Sequence, residues 1–306
     1  MPNTWQSQAQ RVADGIRRRV LKLTIERNGC YLSQALSSAE ILGTLYTKIL
    51  NLGPSEGDYL PPPFPGVPGK NGAKHGLGAL YNGSQGPDKD RLLISPAHYA
   101  VAIYAALVET GRLSPDGLDQ FNIDGSTVEM IGAEHSPGFE VTTGSFGQAL
   151  SQAGGIALAR RLRGDTGCVF VFMSDGEFEE GQTWEALQAL AFYKLDNVVV
   201  YADVNGQQYD GWTKDIMNIE PISGRIEGFG GVSVTVDAHD VEALAAATEV
   251  DHGDKPLFVL CYSNSAQCLS TLEDRKPHLH FVRFKDDAEI ALHRKILDDM
   301  KQGGTG

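Results

Sequence analysis

Short apolar runs alternate along this chain with longer segments in which apolar residues recur at helical spacing. The runs Cys168–Met173 and Asn197–Asp203 flank the segment Gly181–Lys194, whose apolar side chains recur every three or four residues. We predict two strands joined by a helix, and a connection of this kind makes the strands parallel. Both strands then end at the same edge of one sheet. The pattern therefore predicts an α/β fold.

The same patterning predicts the remaining helices and strands. The helices are Gln8–Glu26, Ser37–Leu50, Tyr99–Glu109, Ala149–Arg163 and Val241–Val250, and the strands are Asp90–Ser95, Val232–Asp237 and Leu257–Tyr262. Ser37 is followed three residues later by Glu40, which is the spacing of a capping box. We therefore expect the second helix to begin at Ser37.

Residues 53–87 interrupt this alternation. Proline and glycine are concentrated in the stretch Pro61–Gly69, which excludes a helix or a central strand there. We predict a long loop or insertion that is either a surface feature or a lid or interface arm. The rest of the chain shows no break in composition, so we expect a single domain over residues 1–300 and a disordered tail at 301–306.

Charge and composition narrow the functional classes. The chain has 306 residues and a formal net charge of −13, which argues against binding nucleic acid through its phosphates. No apolar run is long enough for a membrane span, and no basic segment followed by an apolar one marks a signal peptide. We therefore expect a cytoplasmic protein. The four cysteines show neither metal-ligand nor disulfide spacing.

Polar residues follow both strands of the predicted strand–helix–strand unit. Asp175 and Gly176 come directly after the first strand, and Asn205 follows the second. Because parallel strands end at the same sheet edge, we expect Asp175 and Asn205 to lie close together. A carboxylate and an amide oxygen suit a hard divalent cation with positions left open for a diphosphate. Gly176 would let such a group approach the backbone closely.

Three segments, Glu140–Gln148, Asp175–Ala186 and Gln208–Gly211, together resemble the N-terminal part of a transketolase. The resemblance extends from about residue 13 to about residue 281. It implies a doubly wound, mostly parallel sheet with helices on both faces, the thiamine-diphosphate-binding fold. The chain stops where a full-length transketolase begins its pyrimidine-binding domain. It therefore resembles the diphosphate-binding subunit of a split, two-component transketolase.

The resemblance implies a cofactor site for thiamine diphosphate and Mg²⁺ (or Ca²⁺). Asp175 and Asn205 match the metal ligands, and the backbone carbonyl of Gln207 is the third. The cofactor-binding residues that the resemblance implies are Gly144, Phe146, Asp175, Gly176, Glu177, Asn205, His98 and His280. Among these, Gly144 would accept a hydrogen bond from the cofactor's pyrimidine amino group, and Phe146 would pack against its rings.

Histidines and one glutamate carry the predicted proton chemistry. His98 matches a family histidine that donates to cofactor and substrate, and an imidazole suits this task because its pKa lies near neutrality. His135 precedes the cofactor loop at a spacing shorter than the family's. His280 resembles a late histidine that reaches the diphosphate, a role for which His278 competes. Glu180 matches an acidic residue at the subunit interface that helps to link the two active sites of the dimer.

Tyr31 stands where the resemblance places a histidine. A phenol with a pKa of about 10 donates a hydrogen bond but rarely ionises near neutrality. We therefore expect Tyr31 to act in the catalytic site with a changed role, and ordinary phosphorylated ketoses to be poor substrates. The proline-rich segment Pro61–Pro68 is a candidate cap over that site.

The resemblance favours one function over two alternatives. The expected enzyme transfers a two-carbon ketol or acyl unit to an aldehyde or ketone. It needs a C-terminal transketolase-like subunit that supplies the pyrimidine-binding domain in an α2β2 assembly. The alternatives are the α subunit of a 2-oxo acid dehydrogenase or decarboxylase, and a non-catalytic, partner-binding pseudo-subunit. We expect small-molecule substrates, and neither nucleic acid nor a membrane as a partner.

Overall fold

The structure, a computed structural model, describes residues 4–66 and 77–302. Its strands are β1 Arg91–Ile94, β2 Val169–Ser174, β3 Val198–Val204, β4 Gln207–Gln208, β5 Gly211–Trp212, β6 Val232–Asp237 and β7 Leu257–Tyr262. Five of them form one sheet in the order β1-β2-β3-β7-β6, and every neighbouring pair is parallel. The strands β4 and β5 form a small antiparallel hairpin after β3. The predicted α/β fold with a mostly parallel sheet is confirmed.

The helices cover both faces of the sheet. They are α1 Trp5–Glu26, α2 Leu32–Thr44, α3 Ala100–Glu109, α4 Pro115–Leu118, α5 Gln148–Arg163, α6 Gly181–Phe192, α7 Thr213–Ile216, α8 Ile222–Gly228, α9 Val241–Ala246 and α10 Asp287–Gln302. One buried apolar cluster joins α1, α2 and α3 to the sheet, and a second joins α5 and α6 to its other face. None of the described helices is both long enough and apolar enough to cross a membrane.

Strand β2 shows how the sequence produces these two layers. Phe170 and Phe172 pack into the cluster with α1 to α3, whereas Val169, Val171 and Met173 pack into the cluster with α5 and α6. Successive side chains of a strand point to opposite faces. A strand buried on both faces is therefore a continuous apolar run, as in the sequence of β2.

The start of the second helix differs from the prediction. Helix α2 begins at Leu32, so Ser37 lies inside the helix, fully buried. Its hydroxyl donates to Asp203 Oδ2 at 2.6 Å and lies 3.2 Å from Gln34 O, and the capping box predicted with Glu40 is wrong. Local spacing suggested a cap because serine at a helix start satisfies backbone N–H groups. Here the hydroxyl instead donates a hydrogen bond to a carboxylate that is distant in sequence.

The described part of the loop follows the prediction in part, and the described start of the tail does not. Most of the described residues between 53 and 87 are irregular, but Leu77–Asn82 forms a 3₁₀-helix that the sequence did not suggest. Tyr81 of this turn donates to Asp58 O at 2.8 Å and so fixes part of the loop. The centre of the loop, with the end of Pro61–Pro68, lies outside the described residues. Residues 301 and 302 belong to α10, so the predicted tail is wrong there, and residues 303–306 also lie outside the described residues.

Candidate active site

A cleft of about 210 Å³ opens at the edge where β2 and β3 end. Residues from the starts of α2 and α3, the ends of β2 and β3 and the segment before α10 surround it. Its lining consists of Ser33, Gln34, His98, Tyr99, Phe146, Ser174, Asp175, Gly176, Glu179, Glu180, Asn205, Gln207, Gln208, Tyr209 and His280. The fold therefore gathers most of the predicted site residues into one place, as expected for the carboxyl edge of an open α/β sheet.

The predicted metal ligands are joined by hydrogen bonds at the floor of the cleft. Gly206 N donates to Asp175 Oδ2 at 2.8 Å, and Gln207 N donates to Asn205 Oδ1 at 2.9 Å. The register pairs Ser174 with Asp203, which sets the two strand ends side by side. The predicted proximity of Asp175 and Asn205 is therefore observed.

The electrostatics of this floor suit a divalent cation. Asp175 is buried, and burial, followed by the nearby charge of Asp203, raises the pKa of Asp175 to about 8. A buried carboxylate next to another carboxylate is stabilised in its charged form when a cation neutralises it. Within residues 4–66 and 77–302, no group of three or more His, Cys, Asp or Glu side chains could hold a metal. The predicted site contains one carboxylate, one amide oxygen and one carbonyl, so it does not require a cluster of three such side chains.

An aromatic cluster forms one wall of the cleft. The ring centroid of Tyr31 lies 5.3 Å from that of His98, 5.4 Å from His280 and 5.2 Å from Phe281. The His98 and His280 rings are 5.0 Å apart. Burial, followed by the proximity of His280, lowers the pKa of His98 to about 3, and burial also lowers the pKa of His280. Both imidazoles are therefore neutral near pH 7, and each offers one donor and one acceptor.

A wider cavity of about 500 Å³ continues from the cleft toward solvent. Gly144, Phe146 and Tyr31 line it together with His98 and His280. The Phe146 ring lies 5.7 Å from His98. A methyl group added at Gly176 would lie 3.7 Å from the Phe146 ring, which is an ordinary van der Waals contact, so Gly176 lies beside this ring. The cofactor residues inferred from the resemblance thus line two connected spaces.

Glu177 does not line the cleft and instead ties together the segments around it. Its buried carboxylate accepts from Ser174 N at 3.0 Å, from Gly147 N at 3.3 Å and from the Ser95 hydroxyl. Ser174 is the last residue of β2, Gly147 ends the loop that carries Phe146, and Ser95 follows β1. The structure therefore places Glu177 as a support for the loop that carries Phe146.

Replacing Glu177 by glutamine should destabilise the chain. The amide NH₂ of Glu177→Gln would face either Ser174 N–H or Gly147 N–H, and leaving such buried donors unpaired costs about 1–3 kcal/mol. Thermal unfolding followed by circular dichroism should show a lower Tm. The matched control is Glu249→Gln, which changes an exposed glutamate and should leave Tm unchanged. Equal Tm values for the two variants would contradict this role.

Other predicted residues occupy different positions. His135 Nε2 lies 2.8 Å from Glu129 Oε2, and its ring packs against Phe64 at 4.6 Å, away from the residues that line the cleft. Its catalytic role stays a prediction. His280 lines the cleft, whereas His278 is exposed outside it. Glu180 is exposed at the rim, and its side chain makes no capping hydrogen bond to α6.

Several polar residues of the site were not found from the sequence. Tyr99 and Gln208 line the cleft, and the buried carboxylate of Asp203 lies just behind it. One signal was available for Asp203, because it ends a predicted strand two residues before Asn205. The hydroxyl partners of Asp203 come from distant segments, so no local pattern marks them.

Comparison with known proteins shows the family to which the chain belongs. The family described as "Transketolase, thiamine diphosphate binding domain" matches residues 81–296. The putative uncharacterized transketolase family protein y4mO of Sinorhizobium fredii is 33% identical over 287 residues, 92% of each chain. An apulose-4-phosphate transketolase subunit of Actinobacillus succinogenes is 29% identical over 92% of this chain and 94% of its own.

Solved structures agree in fold. Transketolase from Pichia stipitis, in complex with sedoheptulose-7-phosphate, superposes with a TM-score of 0.69 at 22% identity, covering 97% of this chain and 46% of its own. Transketolase from Campylobacter jejuni gives a TM-score of 0.69 at 19% identity, over 96% of this chain and 48% of its own. The chain thus spans about half the length of these transketolases.

The fold and the family match define a thiamine-diphosphate-binding α/β protein. The chain belongs to the transketolase family and contains that family's thiamine-diphosphate-binding domain. The predictions of family, fold and transketolase-type function are confirmed at this level. The family match does not favour the α subunit of a 2-oxo acid dehydrogenase or a pseudo-subunit.

Proposed function

We propose that this chain is the diphosphate-binding subunit of a two-component, Mg²⁺-dependent transketolase of the cytoplasm. The enzyme transfers a two-carbon ketol unit from a donor to an aldehyde acceptor. The observation that supports this most strongly is the cleft itself, because Asp175, Asn205 and Gln207 line it together with the neutral His98 and His280. One cleft therefore offers both oxygen ligands for a cation and hydrogen-bonding groups without charge.

Each group of residues has a distinct task in this proposal. Asp175, Asn205 and the Gln207 carbonyl would hold Mg²⁺, and the cation would bind the diphosphate. His98 and His280 would donate hydrogen bonds to the cofactor and to the substrate while remaining neutral. The bound cofactor supplies the electron sink that stabilises the donor's carbanion. The chain supplies orientation and keeps the Phe146 loop in place through Glu177.

A second polypeptide would complete the site. The cavity outside the cleft is open, and Glu180 stands exposed at its rim without a capping role. The resemblance to transketolases implies that a separate domain holds the pyrimidine of the cofactor. Two relatives are themselves named as subunits, one of an apulose-4-phosphate transketolase and one of a 6-deoxy-6-sulfo-D-fructose transketolase. We therefore propose an α2β2 assembly in which Glu180 faces the partner.

The substrate we propose is a modified sugar rather than an ordinary phosphorylated ketose. The two named relatives act on sugars of this kind, as their names state. The aromatic ring of Tyr31 lines the outer cavity where a substrate would enter. The half-buried phenol of Tyr31 stands there beside His98 and His280, where the resemblance places a third imidazole. This supports a donor or acceptor different from the usual pair.

Co-expression with the product of a neighbouring transketolase-like reading frame tests the proposed function. We expect the two chains to co-purify, with a light-scattering mass of two copies of each. Ketol transfer should require both chains, thiamine diphosphate and Mg²⁺. Turnover by this chain alone, or a stable pair that binds no thiamine diphosphate, would refute the proposal.

Removing the charge at the rim with Glu180→Gln should weaken the assembly, whereas Glu249→Gln should not.

A further inference from the structure

Asp203 is a fully buried carboxylate at the carboxyl end of β3, two residues before the proposed ligand Asn205. It does not line the cleft. Its Oδ2 accepts from Ser37 Oγ at 2.6 Å and from Tyr99 OH at 2.8 Å, and its Oδ1 accepts from the Ser263 hydroxyl. The side chain therefore connects α2, the start of α3 and the loop after β7, directly behind the floor of the cleft where Asp175 and Asn205 lie.

The partners of Asp203 are all donors. Three are hydroxyl groups, and the fourth is Asn205 Nδ2 at 3.5 Å from Asp203 Oδ2. An ionised carboxylate accepts hydrogen bonds only, so this set of donors matches the charged form. A hydrophobic side chain of the same size would leave buried hydroxyls without acceptors. The four donors therefore hold the Asp203 carboxylate in one place, one layer behind Asp175.

The Asp203 carboxylate also fixes the orientation of the Asn205 amide. Asn205 Nδ2 donates to Tyr99 OH at 3.2 Å and points at Asp203, while Asn205 Oδ1 accepts from Gln207 N at 2.9 Å. A flipped amide would set its oxygen against the Asp203 carboxylate and its NH₂ against Gln207 N–H. Both contacts would be repulsive, so only one orientation is stable. The amide oxygen therefore stays on the side of Gln207 N–H, away from the Asp203 carboxylate.

We propose that Asp203 is a positioning residue of the metal site, which keeps the Asn205 oxygen available to Mg²⁺. Outer-shell partners of this kind orient metal ligands, and losing one typically costs about 10–100-fold in metal affinity. The inference rests on the proposed function, since it assumes that Asp175 and Asn205 hold the metal. It extends that function by assigning a role to a residue that touches neither metal nor cofactor.

Two variants test the role of Asp203, and one disrupts its hydrogen bonds more than the other. Asp203→Asn removes the charge and keeps the size, and Tyr99→Phe removes only the hydroxyl between Asp203 and Asn205. The assembled pair is titrated calorimetrically with thiamine diphosphate at a series of Mg²⁺ concentrations. We expect Asp203→Asn to raise the half-saturating Mg²⁺ concentration by about 10–100-fold and Tyr99→Phe by no more than about 10-fold. At sufficiently high Mg²⁺ the cofactor affinity of both variants should return to the wild-type value.

A matched control separates metal positioning from stability. Glu140→Gln removes another buried carboxylate, one that accepts from Leu92 N and pairs with Arg91 at the opposite end of β1. It should lower Tm and leave the half-saturating Mg²⁺ concentration unchanged. If Asp203→Asn does not fold, Tyr99→Phe decides the question.

The outcomes distinguish this inference from the proposed function. Suppose that the wild-type pair binds the cofactor in a Mg²⁺-dependent way and that both variants keep the wild-type half-saturating Mg²⁺ concentration. That result would overturn the role of Asp203 and leave the proposed function standing. If a variant loses cofactor binding and high Mg²⁺ does not restore it, the role of Asp203 is also overturned, because structural damage to the site would give that result. Cofactor binding by the wild-type pair in the absence of any divalent cation would overturn the proposed function, and the inference with it.

Discussion

Replacing Asp175 by alanine is expected to abolish Mg²⁺-dependent binding of thiamine diphosphate. Asp175 is the only carboxylate among the proposed ligands, so its loss removes the charge that attracts the cation. The affinity should fall by more than about 100-fold, the upper end of what the loss of an outer-shell partner costs. Calorimetric titration of the assembled pair with cofactor and Mg²⁺ measures the change directly.

The fold of the Asp175→Ala variant should remain intact. Burial and the nearby Asp203 carboxylate raise the pKa of Asp175, which means that its charged form is disfavoured without a cation. Removing it should therefore not lower the Tm of the metal-free chain by much. Asp251→Ala is the control, because Asp251 also accepts from a backbone N–H group, at 3.0 Å, in an exposed turn away from the cleft. Unchanged cofactor affinity in Asp175→Ala would remove the basis for the metal site.

The wild-type pair is expected to use xylulose 5-phosphate and ribose 5-phosphate poorly. Burial, followed by the neighbouring Cys30 and Tyr209, raises the pKa of Tyr31 above the ordinary value of a phenol. Tyr31 therefore stays protonated at neutral pH and cannot share a proton with a sugar hydroxyl as an imidazole does. We expect kcat/KM for these sugars to fall below about 10⁴ M⁻¹s⁻¹, the lower end of the usual enzymatic range.

Restoring an imidazole should recover part of this activity. General acid–base catalysis by a positioned side chain contributes about 10²–10⁴-fold. Tyr31→His should therefore raise kcat/KM for xylulose 5-phosphate, by up to about 10²-fold if proton transfer is the missing step. Tyr31→Phe is the matched control, since it keeps the ring between His98, His280 and Phe281 and removes only the hydroxyl. Wild-type kcat/KM at or above about 10⁴ M⁻¹s⁻¹ would show that Tyr31 does not redirect specificity.

The contact between Asp175 and the Asn205 loop could be predicted because it depends on chain connectivity. Two apolar runs joined by a helix form parallel strands, and parallel strands end at one edge. Ser174 and Asp203 are paired in the register, as that argument requires. The alternation of Phe170 and Phe172 with valines likewise follows from the two-residue period of a strand. These features depend on local patterns, so the sequence contains them.

The role of Ser37 could not be predicted in the same way. Its spacing to Glu40 is that of a capping box, yet the helix begins five residues earlier and the hydroxyl bonds to Asp203. A serine side chain bonds whichever acceptor lies within reach, and here that acceptor belongs to a strand 166 positions further along the chain. Nor does spacing distinguish His280 from His278, since both follow β7 at similar distances.

The sequence by itself determined the α/β alternation, the family and the residues at the two strand ends, because each depends on short-range order along the chain. Only the tertiary structure decided which polar groups meet behind them. Asp203 with Ser37, Tyr99 and Ser263 is one such set, and Glu177 with Gly147 is another. Hydrogen bonds of this kind join segments that are far apart in sequence, and packing both faces of the sheet brings those segments together.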